Sequence, residues 1–76
     1  MKELVETVAR ALVTRPEEVA ASESEEGGTL TVDLALSPED LGRVIGREGR
    51  TARALRAFAA AAGRKRNQRV LVRIRG

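Results

Sequence analysis

The first apolar residues of the chain recur at helical spacing. Between Lys2 and Thr14 they lie three and four positions apart, with charged residues on the opposite side. A stripe with this period is typical of an amphipathic helix of about three turns. Arg15-Pro16 ends the pattern because the residue before a proline avoids the α region. The sequence therefore predicts a helix that covers a sheet, with an apolar stripe formed by Leu4, Val5, Val8, Leu12 and Val13.

The spacing then changes from helical to alternating. Residues 19–25 form a weak strand pattern, and Gly27-Gly28 follows as a tight-turn signal. Residues 29–36 alternate cleanly, which is typical of a strand with one buried face. We predict a hairpin whose second strand points Leu30, Val32, Leu34 and Leu36 inward and Thr29, Thr31, Asp33 and Ala35 outward.

Two helices separated by a glycine turn are predicted next. Ser37 can cap the first helix and Pro38 suits its first position, while the acids at positions 39 and 40 complement the helix dipole. This short helix ends at Gly46, and we expect its apolar side to consist of Leu41, Val44 and Ile45.

The second helix of the pair is predicted over residues 50–62, with Gly63 as the residue that terminates it and 64–67 as a basic loop. Residues 68–75 alternate again as a strand. The helix is expected to bury Ala52, Leu55, Phe58, Ala59 and Ala62, with Arg50, Arg53 and Arg56 on the other side. The strand is expected to point Val70, Val72 and Ile74 inward.

The predicted order is helix, strand, strand, helix, helix, strand. Because two helices connect the second strand to the third, the economical packing is an α+β fold in which one three-stranded sheet carries the helices on one face. The length of 76 residues allows one modest core, so we expect a single domain over 1–76.

Composition excludes several classes of protein. The chain has no cysteine and no histidine, which rules out disulfides, zinc fingers and catalytic sites that need either residue. It also lacks the longer glycine-rich pattern of a phosphate-transferring loop. We therefore predict no catalytic residue, no cofactor and no metal. No window is apolar enough for a membrane span or a signal peptide, and a cytoplasmic protein without membrane contact is expected.

Charge is unevenly distributed along the chain. Residues 1–41 contain three basic and ten acidic residues, whereas residues 42–76 contain eleven basic residues and one acid, Glu48. Such asymmetry predicts a polyanionic partner for the second half.

The most basic part of the chain surrounds a Gly-x-x-Gly turn, Gly46-Arg47-Glu48-Gly49. Glycines tolerate positive φ and leave no side chain between the backbone and a ligand. The turn also lies at the start of a helix, where free N–H groups and the helix dipole favour an anion. With Arg43, Arg50 and Arg53 on its flanks, the turn is a candidate clamp for a polynucleotide backbone.

The order of elements and this turn resemble a KH domain of the prokaryotic type (type II), whose arrangement is αββααβ. More narrowly, the chain resembles the small bacterial single-KH RNA-binding proteins of the KhpA family. Those proteins carry a Pro-Glu-Asp-x-Gly-x-Val-Ile-Gly segment, here residues 38–46. The resemblance covers essentially all of the chain.

The resemblance implies a role for each residue of the site. Gly46, Arg47, Glu48 and Gly49 would clamp the backbone of about four nucleotides of single-stranded RNA. Val44 and Ile45 would form an apolar floor beneath the bases. Arg43, Arg50 and Arg53 would pair with phosphates, and Thr51 would complete the RNA-binding site.

The resemblance also implies partners and a pathway. Proteins of this kind are thought to pair with themselves and with a larger KH-containing protein of the KhpB type. It further implies an RNA-chaperone role in post-transcriptional control that is linked to cell elongation and cell shape. From the residues alone, the small-residue surface around Ala57, Ala60 and Ala61 of the second helix is either a dimer contact or a solvated face of a good helix former.

One position departs from the KH pattern. Such clamps usually avoid acids, yet Glu48 follows Arg47, and its carboxylate weakens phosphate binding unless it turns away or pairs with Arg47 or Thr51. One alternative is therefore a KH fold kept for dimerisation without RNA binding of its own. Another is a DNA-binding helix-turn-helix, in which Arg50, Thr51 and Arg53 would enter a major groove.

Overall fold

The computed structural model describes residues 1–46 and 49–76, apart from the side chain of Ile45. The predicted order of elements is confirmed, and a short 3₁₀ turn at Pro16–Glu18 is added. The helices are α1 (Lys2–Leu12), α2 (Pro38–Gly46) and α3 (Arg50–Lys65), and the strands are β1 (Ala20–Glu26), β2 (Thr29–Ala35) and β3 (Arg69–Arg75).

The three strands form one sheet in the order β1-β2-β3. β1 and β2 are an antiparallel hairpin in which Ala20 pairs with Ala35, and the predicted Gly27-Gly28 turn joins them with φ values of 58° and 81°. β2 and β3 are parallel, with Thr29 opposite Arg69. Because parallel neighbours need a crossover connection, the segment between these two strands contains both α2 and α3.

The core lies between one face of this sheet and the helices α1 and α3. β2 alternates half-buried and buried residues along its whole length, as predicted. The largest fully buried apolar side chains are Val5 from α1, Val32 and Leu34 from β2, and Leu55 from α3. Val70, Val72 and Ile74 of β3 are buried or half-buried, which confirms their predicted inward direction.

The predicted helix α1 extends two residues too far. The helix stops at Leu12, and Val13 is extended. The backbone N–H groups of Thr14 and Arg15 donate to the carboxylate of Asp40, which draws the chain away from the helix. The predicted apolar stripe is also only partly buried, because Leu4 and Leu12 are 41% and 52% exposed.

The predicted end of α3 was wrong. Gly63 is a buried residue inside the helix, which continues to Lys65 and so includes part of the predicted basic loop. The left-handed residue is instead Asn67, with φ 53°. The N–H of Gln68 donates to Gly63 O at 2.8 Å and the N–H of Asn67 to Arg64 O at 3.1 Å, which is a Schellman motif.

Phe58 does not lie in the core as predicted. The buried residues of α3 are Ala52, Leu55, Ala59 and Gly63. Phe58 is about 100° from the centre of that stripe, since successive residues of a helix turn by ~100°. It is half-buried and lines a groove of about 270 Å³ between α1 and α3, together with Leu4, Ala61, Ala62 and Lys65.

Candidate nucleic-acid interface

Asp40 fixes the start of α2 against the end of α1. Its side chain is buried, and it accepts hydrogen bonds from the backbone N–H of Thr14 at 2.9 Å and of Arg15 at 3.0 Å. The hydroxyl of Thr14 donates to it at 2.8 Å and that of Ser37 at 3.0 Å. These bonds, led by the Thr14 N–H, hold the pKa of Asp40 at about 2.

Ser37 caps α2, as predicted. Its hydroxyl oxygen accepts the backbone N–H of Asp40 at 3.2 Å, and the same hydroxyl donates to the Asp40 carboxylate at 3.0 Å. The start of α2 is therefore tied both to its own first turn and to the end of α1. This double attachment sets the direction in which α2 carries Arg43 and Val44.

A cleft of about 200 Å³ opens where α1 ends, α2 passes and α3 begins. Three residues predicted to bind RNA meet there: exposed Arg43, buried Val44 and half-buried Thr51. The remaining lining residues are Leu12, Thr14 and Asp40. Four hydrogen-bond donors already bind the carboxylate of Asp40. The cleft therefore contains a carboxylate with its hydrogen bonds satisfied and, near it, the exposed guanidinium group of Arg43.

Gly49 places the start of α3 beside this cleft. Its φ of 69° is a left-handed conformation, as expected for a glycine at this turn. Within the described residues, no side chain caps the first N–H groups of α3, and its first turn contains no acid. Arg50 and Arg53 are exposed on the same end of the helix. These features give a helix terminus suited to an anion.

Of the predicted site residues, the structure brings Arg43, Val44 and Thr51 together in the cleft, while Gly49, Arg50 and Arg53 lie at the start of α3 beside it. Gly46 is the last residue of α2. Arg47 and Glu48 lie outside the described residues, as does the side chain of Ile45, and their predicted roles stay predictions.

Sequence reasoning missed three residues that line the cleft: Asp40, and Leu12 and Thr14 from α1 and the segment that follows it. Leu12 is predicted only as part of the apolar stripe, and Thr14 only as the end of the helix. No local signal marks them. For Asp40 a signal existed, because Ser37 and Asp40 have the spacing of a capping box.

Comparison with known proteins agrees with this fold. The KhpA/KhpB KH domain family profile matches residues 2–74. An RNA-binding protein KhpA of Halalkalibacterium halodurans is 49% identical over 70 residues, which cover 92% of each chain. Proteins of the same name from Clostridium perfringens and Aquifex aeolicus are 46% and 42% identical over 74 residues, which cover 97% of this chain and 99% and 94% of theirs.

No solved structure matches this chain. In the part of the chain that the structure describes, no helix has the length and apolar character needed to cross a bilayer. The αββααβ order, the three-stranded sheet and the match over nearly the full chain all agree with a type II KH fold. The chain belongs to the KhpA/KhpB family of KH domains.

Proposed function

We propose that this chain binds single-stranded RNA with the turn between α2 and α3. The observation that carries the proposal is the start of α3, where left-handed Gly49 precedes an acid-free first turn flanked by exposed arginines. The names of the relatives, all RNA-binding proteins, support the same ligand. The proposed site consists of Arg43, Val44, Ile45, Gly46, Arg47, Glu48, Gly49, Arg50, Thr51 and Arg53.

The parts of this site act on different groups of the RNA. The Gly46–Gly49 turn and the N–H groups at the start of α3 hold the sugar–phosphate backbone, since no side chain at either glycine blocks a close approach. Arg43, Arg50 and Arg53 pair with phosphates. Val44, which lies at the wall of the cleft, and Ile45 contact the bases. The chain contains one aromatic residue, so base stacking on aromatic rings is a minor contribution.

Such a site binds weakly on its own. Neutralising three or four phosphates of a single strand gives a slope of about −2 to −3 in log K against log salt, and largely electrostatic contacts of this size have dissociation constants of ~10⁻⁴ to 10⁻⁶ M. We therefore propose that the chain acts as one KH domain over 1–76 together with a second KH unit, because linking two weak sites raises avidity.

The second unit is another copy of this chain or a larger KH-containing protein of the KhpB type. The described surface that favours such a contact is the groove between α1 and α3, where Leu4 is 41% exposed beside Phe58 and Ala61. Sedimentation of the chain alone and mixed with a KhpB-type protein tests this contact. We expect either that the chain alone sediments as a dimer or that the mixture contains a species heavier than either protein alone. A chain that sediments as a monomer in both samples would contradict this contact.

Membership of this family supports a proposal for the wider role. We propose an RNA chaperone of the cytoplasm that acts in post-transcriptional control linked to cell elongation and cell shape. Two weak sites held together are suited to this role, because either site can release its segment of RNA while the other still holds the strand.

The clamp is tested by the double substitution Arg47→Asp, Glu48→Asp, which places two carboxylates against the RNA backbone. We expect the native chain to bind a labelled, unstructured RNA of about six nucleotides with a salt slope of about −2 to −3, and the variant to bind at least ~10-fold more weakly. Fluorescence anisotropy at several salt concentrations gives both values. Circular dichroism establishes that the variant is folded.

The matched control is Lys2→Gln, Arg10→Gln, which removes the same two units of charge from the acidic half of the chain. It should leave RNA binding within about twofold of native, because those residues lie on α1. Equal binding by the native chain and the clamp variant would contradict the clamp and favour a pure dimerisation module. Preferential competition by duplex DNA would favour the helix-turn-helix alternative.

A further inference from the structure

The face of the sheet turned away from the helices carries an arginine-rich strand. The register places Thr29, Thr31, Asp33 and Ala35 of β2 on this face, opposite Arg69, Leu71, Arg73 and Arg75 of β3 and Ala20, Ser22, Ser24 and Glu26 of β1. All twelve side chains are exposed or half-buried. Within the described residues, this face is therefore open, and its basic groups are concentrated on the edge strand.

The acidic residues of this face do not neutralise the arginines of β3. Arg73 Nε contacts Asp33 Oδ1 at 3.2 Å, and the arginine side chain still keeps 65% of its exposure. Arg69 and Arg75 have no acidic partner among the described residues. Glu26 is two strands away, about 10 Å across the sheet. The positive charge thus follows β3, and a polyanion on this face would lie along that strand.

Leu71 adds an apolar contact in the middle of the positive strand. It is 49% exposed and lies between Arg69 and Arg73 on the same face. An exposed aliphatic side chain between two guanidinium planes is suited to a nucleobase, because bases pack on apolar surface and stack on arginine. An acidic peptide would satisfy the arginines but would leave Leu71 without a matching group.

The end of the positive strand lies beside the helix that leads to the clamp. The N–H of Leu36, which leads from β2 towards α2, donates to Arg75 O at 3.0 Å. A Cβ built on Gly76 would lie 3.0 Å from Leu41 Cδ2 of α2. The end of β3 therefore contacts α2, the helix that carries Arg43 and leads to Gly46.

We propose that the open face of β3 is a second RNA contact, which binds the part of a strand that extends beyond the clamp. Arg69, Arg73 and Arg75 bind its phosphates, and Leu71 supports a base. This proposal rests on the proposed RNA binding of the clamp, which it extends from about four nucleotides to a longer strand.

The test compares two unstructured RNAs, one of about six nucleotides that fills the clamp and one of about 20 that reaches beyond it. The variant is Arg69→Gln, Arg75→Gln. Each phosphate contact on a single strand contributes about 0.7 to the salt slope, or about fivefold in affinity at 0.1 M salt. The variant should therefore bind the long RNA roughly 10- to 25-fold more weakly, with a slope reduced by about 1.4, and bind the short RNA within about twofold of native.

The control is Lys2→Gln, Arg10→Gln, which lowers the net charge by the same two units. Its affinity for each of the two RNAs should stay within about twofold of the native value. A second variant, Leu71→Thr, keeps a strand-forming residue at this position. It should lower the affinity for the long RNA and leave the affinity for the short RNA unchanged. Unchanged binding of the long RNA would overturn the proposal. So would an equal loss on both RNAs or an equal loss in the control, since either would reflect net charge rather than this face.

The clamp variant Arg47→Asp, Glu48→Asp separates this proposal from the proposed function. If the short RNA binds that variant as well as it binds the native chain, the clamp is wrong. A loss confined to the long RNA in Arg69→Gln, Arg75→Gln would then still identify the open face as an RNA contact. If the clamp variant loses the short RNA and the β3 variant keeps the long one, the clamp stands and the second contact is wrong.

Discussion

Gly63→Ala is expected to lower the free energy of unfolding by about 2 kcal/mol, although alanine is the better helix former. A Cβ at this position would lie 2.5 Å from Gln68 O and 2.6 Å from Val70 Cγ2. The first of these atoms belongs to the backbone, in the turn that leads into β3, so the clash is relieved only by moving the strand away from α3. Urea denaturation of the native chain and the variant measures the difference.

Gly42→Ala is the matched control. Gly42 lies inside α2 and is exposed, and a Cβ there meets nothing within 4 Å. The same substitution should therefore raise the free energy of unfolding by about 0.5–1 kcal/mol, the ordinary gain of alanine over glycine in a helix. The expected signs are opposite. Stabilisation by both substitutions would show that α3 and β3 separate at Gly63 without cost.

Asp40→Asn is expected to lower the midpoint of thermal unfolding by on the order of 10 °C at neutral pH. The native carboxylate accepts two backbone N–H groups and two hydroxyl hydrogens. An amide has one oxygen, and its own N–H₂ group would face donors in place of an acceptor. The lost hydrogen bonds join the end of α1 to the start of α2. We therefore expect the substitution to lower the stability of the whole fold and not only that of one helix end.

The same residue gives a dependence on pH. The pKa of Asp40 is lowered from 3.8 to about 2 in the folded chain, so its stabilisation is present above about pH 4 and is lost as the pH falls towards 2. The difference in unfolding midpoint between native chain and Asp40→Asn should therefore narrow over that window. Thermal unfolding of both proteins, followed by circular dichroism at several pH values between 7 and 2, measures this difference.

Glu39→Gln controls for the loss of one negative charge at the same helix start. Glu39 is exposed and contacts Arg15 at 3.4 Å, an ion pair of the kind that contributes little. Its substitution should shift the midpoint by no more than about 2 °C. A constant difference between the native chain and Asp40→Asn down to pH 2 would show that the ionised carboxylate is not the stabilising form.

Periodicity was enough to predict the elements of this fold. The alternation in β2 and β3 identified the inward residues, and Ser37-Pro38 identified the start of α2. Periodicity gave the wrong end for α3, because that end depends on a contact with the following strand, β3. Gly63 resembles a helix terminator in the sequence, but it is needed inside α3 because β3 passes too close for a side chain.

The candidate site was predicted less completely than the fold. The glycine turn and its arginines are adjacent in sequence, so a local pattern identifies them. Thr14 reaches the same cleft through a hydrogen bond to Asp40, twenty-six positions away. No spacing rule connects such residues, and their proximity is a consequence of the packing of α1 against α2.

The middle strand of the sheet has one neighbour that is near in sequence and one that is distant. β1 joins β2 through a two-residue turn, whereas each residue of β2 pairs with a residue of β3 forty positions further along, beyond both crossover helices. Before β3 pairs, β2 has an unpaired edge beside a leucine- and valine-rich face, and such an edge is a template for aggregation. Contacts this distant in sequence also form slowly. Glu23, Glu25 and Glu26 belong to the same hairpin as β2, and repulsion between these glutamates on separate chains opposes such edge-to-edge pairing.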